Sequence, residues 1–148
     1  MKIIAKNRKA FHDFAVLDKF EAGIALLGTE VKSMREGKVN FTDSYALLDK
    51  NELFLQGLDI APYGKASAFN HAPRRRRKLL LHKSELRKMG LLTEQKGLTL
   101  VPLLLYFNDR GIIKLELGAC KGKKSFDKRD DIASKEAFAA IKKAMKTR

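Results

Sequence analysis

The sequence has no tryptophan and only one cysteine, Cys120. A lone thiol excludes an internal disulfide and a zinc site built from thiolates. Without Trp, stacking on a nucleobase falls to Phe, Tyr, His or Arg. No apolar run approaches the ~18–20 residues of a membrane-spanning helix. The first residues, MKIIAKNRKAFHDF, contain neither an apolar h-region nor a small-residue cleavage site. A cytoplasmic protein that makes no use of a membrane is therefore the expectation. Acidic residues are also scarce: 17 Asp and Glu stand against 31 Lys and Arg, a net charge of +14. Such an excess repels itself and points to a polyanionic partner.

Catalytic signatures are missing as well. The three histidines, His12, His71 and His82, are widely spaced, and no HExxH or CxxC lies near them. General acid–base chemistry calls for a paired carboxylate or a metal, and no cluster of either is legible. No P-loop, GxGxxG or GxSxG occurs. The expectation is a protein that is not an enzyme and carries no cofactor or metal. His82, beside a run of leucines, reads first as a structural residue.

What is present suits one domain. The chain has 148 residues, 45% of them hydrophobic, enough for a real core. Short apolar runs separated by turn signals predict a mainly β fold. Phe14–Leu17 and Gly23–Leu27 read as strands, with a bend at Asp18-Lys19. Thr29 reads as the cap of a short helix that ends at Gly37. Ser44–Leu48 and Leu53–Leu58 flank a hairpin turn at Asp49-Lys50-Asn51. A helix is predicted from Ser84 to a stop at Gly97. In Leu98–Phe107, Pro102 calls for an edge strand or a bulge. Ile113, Leu115 and Leu117 alternate with Lys114 and Glu116 as in a half-buried strand.

Together these predict mainly β structure with flanking helices, an α+β arrangement around a small closed antiparallel barrel of the OB type. The barrel is expected over residues 1–120. Residues 121–148 hold ten Lys and Arg against four acids, a net of +6, and no strand pattern. Helical spacing from Asp130 to Arg148 sets Ala137, Phe138, Ile141 and Met145 on one side. That apolar face is small, so the segment reads as a basic tail, disordered when free and helical when bound.

Three basic clusters lie far apart in the chain: Lys6-Asn7-Arg8-Lys9, Arg74–Lys78 and Lys121-Gly122-Lys123-Lys124. Alone, the arginine run is explained as well by a solvated charged face as by contact with RNA. The three together on one small domain favour a surface that tracks phosphates. No recognition helix, zinc finger or zipper is evident, which favours RNA over DNA.

Five blocks carry a resemblance: NRKAFHDF, FEAGIALLGTEVKSMREGKVNFTDSYALL, RKLLLHKSEL, KGLTLVPLLLYF and GKKSFDKRD. In this order they resemble the small protein B family, the SsrA-binding proteins of bacteria, from about Asn7 to Arg129. The resemblance implies an OB-type barrel that binds the tRNA-like domain of transfer-messenger RNA (tmRNA). It implies delivery of that RNA to stalled ribosomes in trans-translation, with no catalysis by the protein itself. Implied partners are tmRNA, the small-subunit rRNA of the decoding centre and empty message channel, and alanyl-tmRNA with elongation factor Tu. A monomer is expected.

By matching motif positions, the resemblance implies tmRNA contacts at Asn7, Glu21, Leu80, His82 and Lys114; the basic clusters add Lys9 and Arg77. Asn7 reads a base edge or caps a turn. Glu21, which repels phosphate, faces a donor such as a base edge, a 2′-OH or a neighbouring cation, or else makes a surface salt bridge. The run Arg74–Lys78 is expected along the barrel rim, leucines inward and cations toward RNA. In the tail, Lys121, Gly122, Lys123, Lys124, Phe126, Asp127, Lys128 and Arg129 are implied to meet the ribosome. Phe126 stands where relatives often carry Tyr or His, so stacking is kept there and a ring hydrogen bond is not. The alternative reading is an OB-fold ribosomal or ribosome-assembly protein that binds rRNA.

Overall fold

The computed structural model describes residues 1–66 and 69–123. Among them the protein is mainly β with three helices. The chain runs β1 (Lys2–Lys6), α1 (Arg8–Asp13), β2 (Phe14–Ile24), α2 (Gly28–Arg35), β3 (Val39–Asn40), β4 (Tyr45–Asp49), β5 (Glu52–Gln56), β6 (Asp59–Ile60), β7 (Arg77–Leu80), α3 (Lys83–Lys96), β8 (Thr99–Phe107) and β9 (Ile113–Gly122). The large sheet has the order β1-β8-β4-β5-β7-β2-β9, and β9 pairs again with β8. Six strands therefore form a ring, with β1 added outside β8. The ring is not the fully closed barrel that the sequence suggested. At its β4–β8 seam a single residue pair, Ala46 with Leu100, is in register, whereas β8 and β9 pair from Thr99–Cys120 to Phe107–Ile113.

Local chemistry explains most elements. The β4–β5 hairpin turns on Lys50 (φ 50°) and Asn51 (φ 66°), the left-handed pair that a two-residue loop needs. Helix α3 ends where Gly97 takes φ 64°, a position that costs glycine nothing. Helix α2 is capped at Leu27, two residues before the expected Thr29. Its first turn is held by Glu30, whose Oε1 accepts the Leu27 backbone N–H at 2.7 Å.

Phe14–Ile24 is one strand rather than two separated by a bend. A bulge between Val16 and Asp18 admits the extra residue and re-aims the side chains. Phe14 and Val16 pack with Ala10, Val101, Leu103 and Cys120 in a small cluster. Beyond the bulge, Phe20, Ala22 and Ile24 enter the main core with Leu53, Leu55, Leu79, Met89, Leu92 and Leu115. Lys19, Glu21 and Gly23 are left on the opposite face.

Strand β8 repeats the device. Its ladder to β9 shifts between Pro102 and Leu104, where proline's missing N–H makes a bulge inexpensive. Leu98 and Leu100 lie in the main core before the shift, and Leu105 and Phe107 after it. The inward phase thus moves from even to odd numbers. Leu104 and Tyr106 are turned to the face shared with Lys114 and Glu21.

Strand β9 continues to Gly122, pairing Lys121 with Ala15 and Gly122 with Phe14. Lys121 and Gly122, expected in the tail, are strand residues. The ladder with β2 supplies hydrogen-bond partners that override the polar local sequence.

Candidate nucleic-acid interface

Five strands lay one row of residues across this outer face. Ile3 of β1 opposes Tyr106 of β8; Tyr106 opposes Lys114 of β9; Lys114 opposes Gly23 of β2; Gly23 opposes Leu80 of β7. Directly opposed residues share a face, and Glu21 joins them two positions before Gly23. His82 follows β7 as the N-cap of α3, its backbone N–H donating to Glu85 Oε1 at 3.3 Å.

The result is a concavity of about 520 Å³ lined by Glu21, Gly23, Leu80, Leu81, His82, Glu85 and Lys114. Four of the residues singled out in the sequence, Glu21, Leu80, His82 and Lys114, meet here. Leu80 is 52% exposed, an apolar side chain presented rather than buried. Among the described residues Lys114 makes no ion pair, so its ammonium is available. Two carboxylates, an imidazole and one ammonium do not make a phosphate cage. They suit the edges of bases and ribose hydroxyls.

Glu21 is held by a residue that sequence reasoning passed over. The Tyr106 hydroxyl donates to Glu21 Oε2. Burial, followed by the hydrogen bond to Glu21, raises the Tyr106 pKa far above that of a free phenol, so the hydroxyl stays protonated and remains a donor. Glu116, opposite Glu21, is met by Lys19 at 3.3 Å.

Asn7 and Lys9 lie elsewhere. They line a second hollow of about 680 Å³ with Lys6, Arg8, Phe41, Tyr45 and Thr99, among others. Lys9 is exposed. Asn7 is buried; its Oδ1 accepts the Ala10 N–H at 3.2 Å and its Nδ2 donates to the Pro102 carbonyl at 2.8 Å. Of the two roles expected for it, the cap is the one observed. Its side chain also ties α1 to β8 beside the bulge.

The arginine run divides by face. Arg77, expected on the rim toward RNA, is fully buried; its Nε donates to Glu30 Oε2 at 2.6 Å and its Nη1 to the Leu58 carbonyl at 2.6 Å. Alternation along β7 dictates this, because Leu79 and Arg77 point the same way. Arg75 closes on Glu30 Oε1 at 2.6 Å. Arg76 pairs with Asp49 at 2.9 Å and lies 3.6 Å over the Phe54 ring; Lys78 meets Glu52 at 3.6 Å. Much of the run's charge is therefore neutralised within the fold. Burial raises the Glu30 pKa, but the hydrogen bonds from Arg75, Leu27 and Arg77 outweigh it and the net shift is downward. Arg77 is shifted down from its ordinary value, chiefly by burial.

Of the tail residues, Lys121 and Gly122 sit in β9, and Lys123 donates to the Phe11 carbonyl at 3.1 Å. Lys124, Phe126, Asp127, Lys128 and Arg129 lie outside the described residues. Cys120 is buried, and burial pushes its thiol up to about 12, away from reactive thiolate chemistry.

Ring and concavity define a class: a small, strongly basic, mainly β protein with a hollow lined by charged and apolar side chains on the outer face of its sheet. The model of the SmpB protein family matches residues 4–147. The chain belongs to that family. It is 53% identical to an SsrA-binding protein of Carboxydothermus hydrogenoformans over 99% of this chain and 98% of the relative. It is 52% identical to one of Syntrophobacter fumaroxidans over 99% and 91%. A solved structure, described as "tmRNA-SmpB: a journey to the center of the bacterial ribosome", matches with a TM-score of 0.70 at 55% identity, covering 91% of this chain and 93% of that one.

Proposed function

We propose that this protein is an RNA-binding adaptor of trans-translation. It binds the tRNA-like domain of tmRNA and brings it to ribosomes stalled on a message. One observation carries the reading: Glu21, Leu80, His82 and Lys114, drawn from three separate parts of the chain, line one hollow in a chain that its family's model matches nearly end to end. Relatives named SsrA-binding proteins and a likeness to a tmRNA-SmpB structure of the ribosome support it.

In this reading the ring is of the OB type, and Glu21 and Lys114 divide the work. The ammonium draws in phosphate, while the carboxylate rejects it and accepts from a hydroxyl or an amine. Such a pair fixes register as well as affinity. Lys9 adds phosphate contact from the second hollow. Beyond β9 the basic tail enters the decoding centre and empty message channel. The protein acts as a cytoplasmic monomer, without catalysis or cofactor, beside alanyl-tmRNA carried by elongation factor Tu.

The test is to purify the full chain from cells and sequence the RNA that comes with it, then measure binding to the isolated tRNA-like domain. Enrichment of tmRNA and preference for that domain are expected. Recovery of rRNA alone, with no such preference, favours a ribosomal or assembly protein and defeats the reading. Truncation after Gly122 is expected to preserve RNA affinity and abolish tagging of stalled chains. Loss of both together would place the tail within the primary RNA site.

A further inference from the structure

We propose that Tyr106 is a positioning residue for RNA recognition: its buried hydroxyl fixes the exposed carboxylate of Glu21 in the conformation that meets RNA. The inference rests on the reading that Glu21 contacts RNA and names what makes that contact selective.

Tyr106 and Glu21 are 85 residues apart and on strands that are not neighbours. Strand β9 lies between them, with Lys114 directly opposite Tyr106. The tyrosine side chain therefore spans β9 to reach β2. It is only 6% exposed, so its own ring offers RNA almost no surface to stack upon. Its remaining asset is the hydroxyl, and the described partner of that hydroxyl is Glu21.

The need for such a partner follows from the surroundings. Glu21 stands on a protein of net charge +14, in a hollow that also holds Lys114, and directly opposite another carboxylate, Glu116. An unrestrained carboxylate there would swing onto the ammonium. The pair would cancel, and neither would serve RNA. Glu116 takes a cation, Lys19. Glu21 takes a neutral donor instead. A phenol restrains the carboxylate without neutralising it, so Oε1 keeps its charge and its lone pairs for an incoming donor. The raised pKa of the phenol keeps it a donor throughout the physiological range.

The arrangement also bears on choice of ligand. A fixed anion repels phosphate and unpaired acceptors, and it accepts from a 2′-OH or an exocyclic amine. With Tyr106 in place, it rejects RNA segments that present only phosphate to the hollow.

The experiment is a double-mutant cycle on the full chain, reading affinity for the isolated tRNA-like domain at fixed salt. Wild type, Glu21→Ala, Tyr106→Phe and the double variant are compared, with thermal unfolding of each. Tyr106→Phe keeps the ring and is expected to remain folded. It is expected to weaken binding about three- to tenfold, the size of one hydrogen bond. In the Glu21→Ala background the same change is expected to do nothing further, because the group it positions is gone. A purely structural role for Tyr106 would lower affinity equally in both backgrounds, and that result overturns the proposal. So does wild-type binding by Tyr106→Phe when Glu21→Ala binds weakly. If Glu21→Ala itself binds like wild type, it is the RNA role of Glu21 that fails, and the positioning role falls with it.

Discussion

Gly23 and Leu80 face each other across β2 and β7 so closely that a Cβ on Gly23 would come within 3.3 Å of the Leu80 Cβ. The missing side chain is what lets Leu80 lie over the sheet with half its surface open. Gly23→Val is expected to push Leu80 outward and fill the hollow beside Lys114. Overpacking of this kind costs about 1–3 kcal/mol, so the fold survives a moderate drop in melting temperature. Affinity for the tRNA-like domain should fall more than tenfold, as titration of the folded variant with labelled RNA will show. Wild-type affinity would mean that the hollow is not where RNA sits.

The buried cluster of Glu30, Arg75 and Arg77 predicts a different kind of loss. Glu30→Ala leaves the Arg77 guanidinium in the core without its counter-ion. Breaking a buried pair from one side costs about 3–5 kcal/mol, a large share of the stability of a domain this size. Urea unfolding should report that loss. Arg76→Ala, which removes an exposed pair with Asp49, should cost about 0–1 kcal/mol. Equal costs for the two would refute the division of the arginine run into inner and outer faces.

Acid should act through the same cluster. The Glu30 carboxyl titrates below its ordinary 4.5 in the fold, so the unfolded chain takes up its proton first as the pH drops. The stability it contributes is fully present above about 4.5 and is lost as the pH falls through the folded value. Denaturant midpoints measured from pH 6 to pH 3 should decline across that window. Glu30→Gln, destabilised throughout, should show a shallower decline.

Lys114 and Arg76 should separate in salt. Lys114 makes no ion pair among the described residues, whereas Arg76 is met by Asp49. Lys114→Ala is expected to weaken RNA binding and to reduce the slope of log K against log salt by about 0.7–0.9, the release of one counterion. Arg76→Ala should leave the slope within error of wild type. A large change for Arg76 would show that RNA strips it from Asp49.

The hairpin at Lys50-Asn51, the stop at Gly97 and the bulge at Pro102 were legible because glycine, proline and turn residues act locally. Lys114 was marked by alternation as well as by resemblance, Glu21 by resemblance alone, and the fold brings the two to one hollow. What stayed hidden depends on which way a strand faces after a bulge. The run from Leu98 to Phe107 is apolar on both sides of Pro102, so composition does not reveal that the phase changes there and turns Tyr106 toward Glu21. Arg77 was placed on the wrong side for a related reason. In a run of five cations, nothing in the residue types says which one has a buried carboxylate waiting 47 positions earlier. The strand β1 and the short helix α1 lacked a signal of their own. Both are fixed by distant partners on β8, including the Asn7 amide on the Pro102 carbonyl.

The long ladder between β2 and β9 also works as a ruler. Lys114 lies at one end and Gly122 at the other, eight residues on, which at ~3.4 Å per residue is roughly 27 Å of backbone, paired on both sides as far as Cys120. Any ligand gripped at the first end is thereby set at a constant span from the point where the chain leaves the sheet. Lengthening that span by two residues would move the exit by about 7 Å and keep every side chain on its own face, so reach could be altered without touching grip.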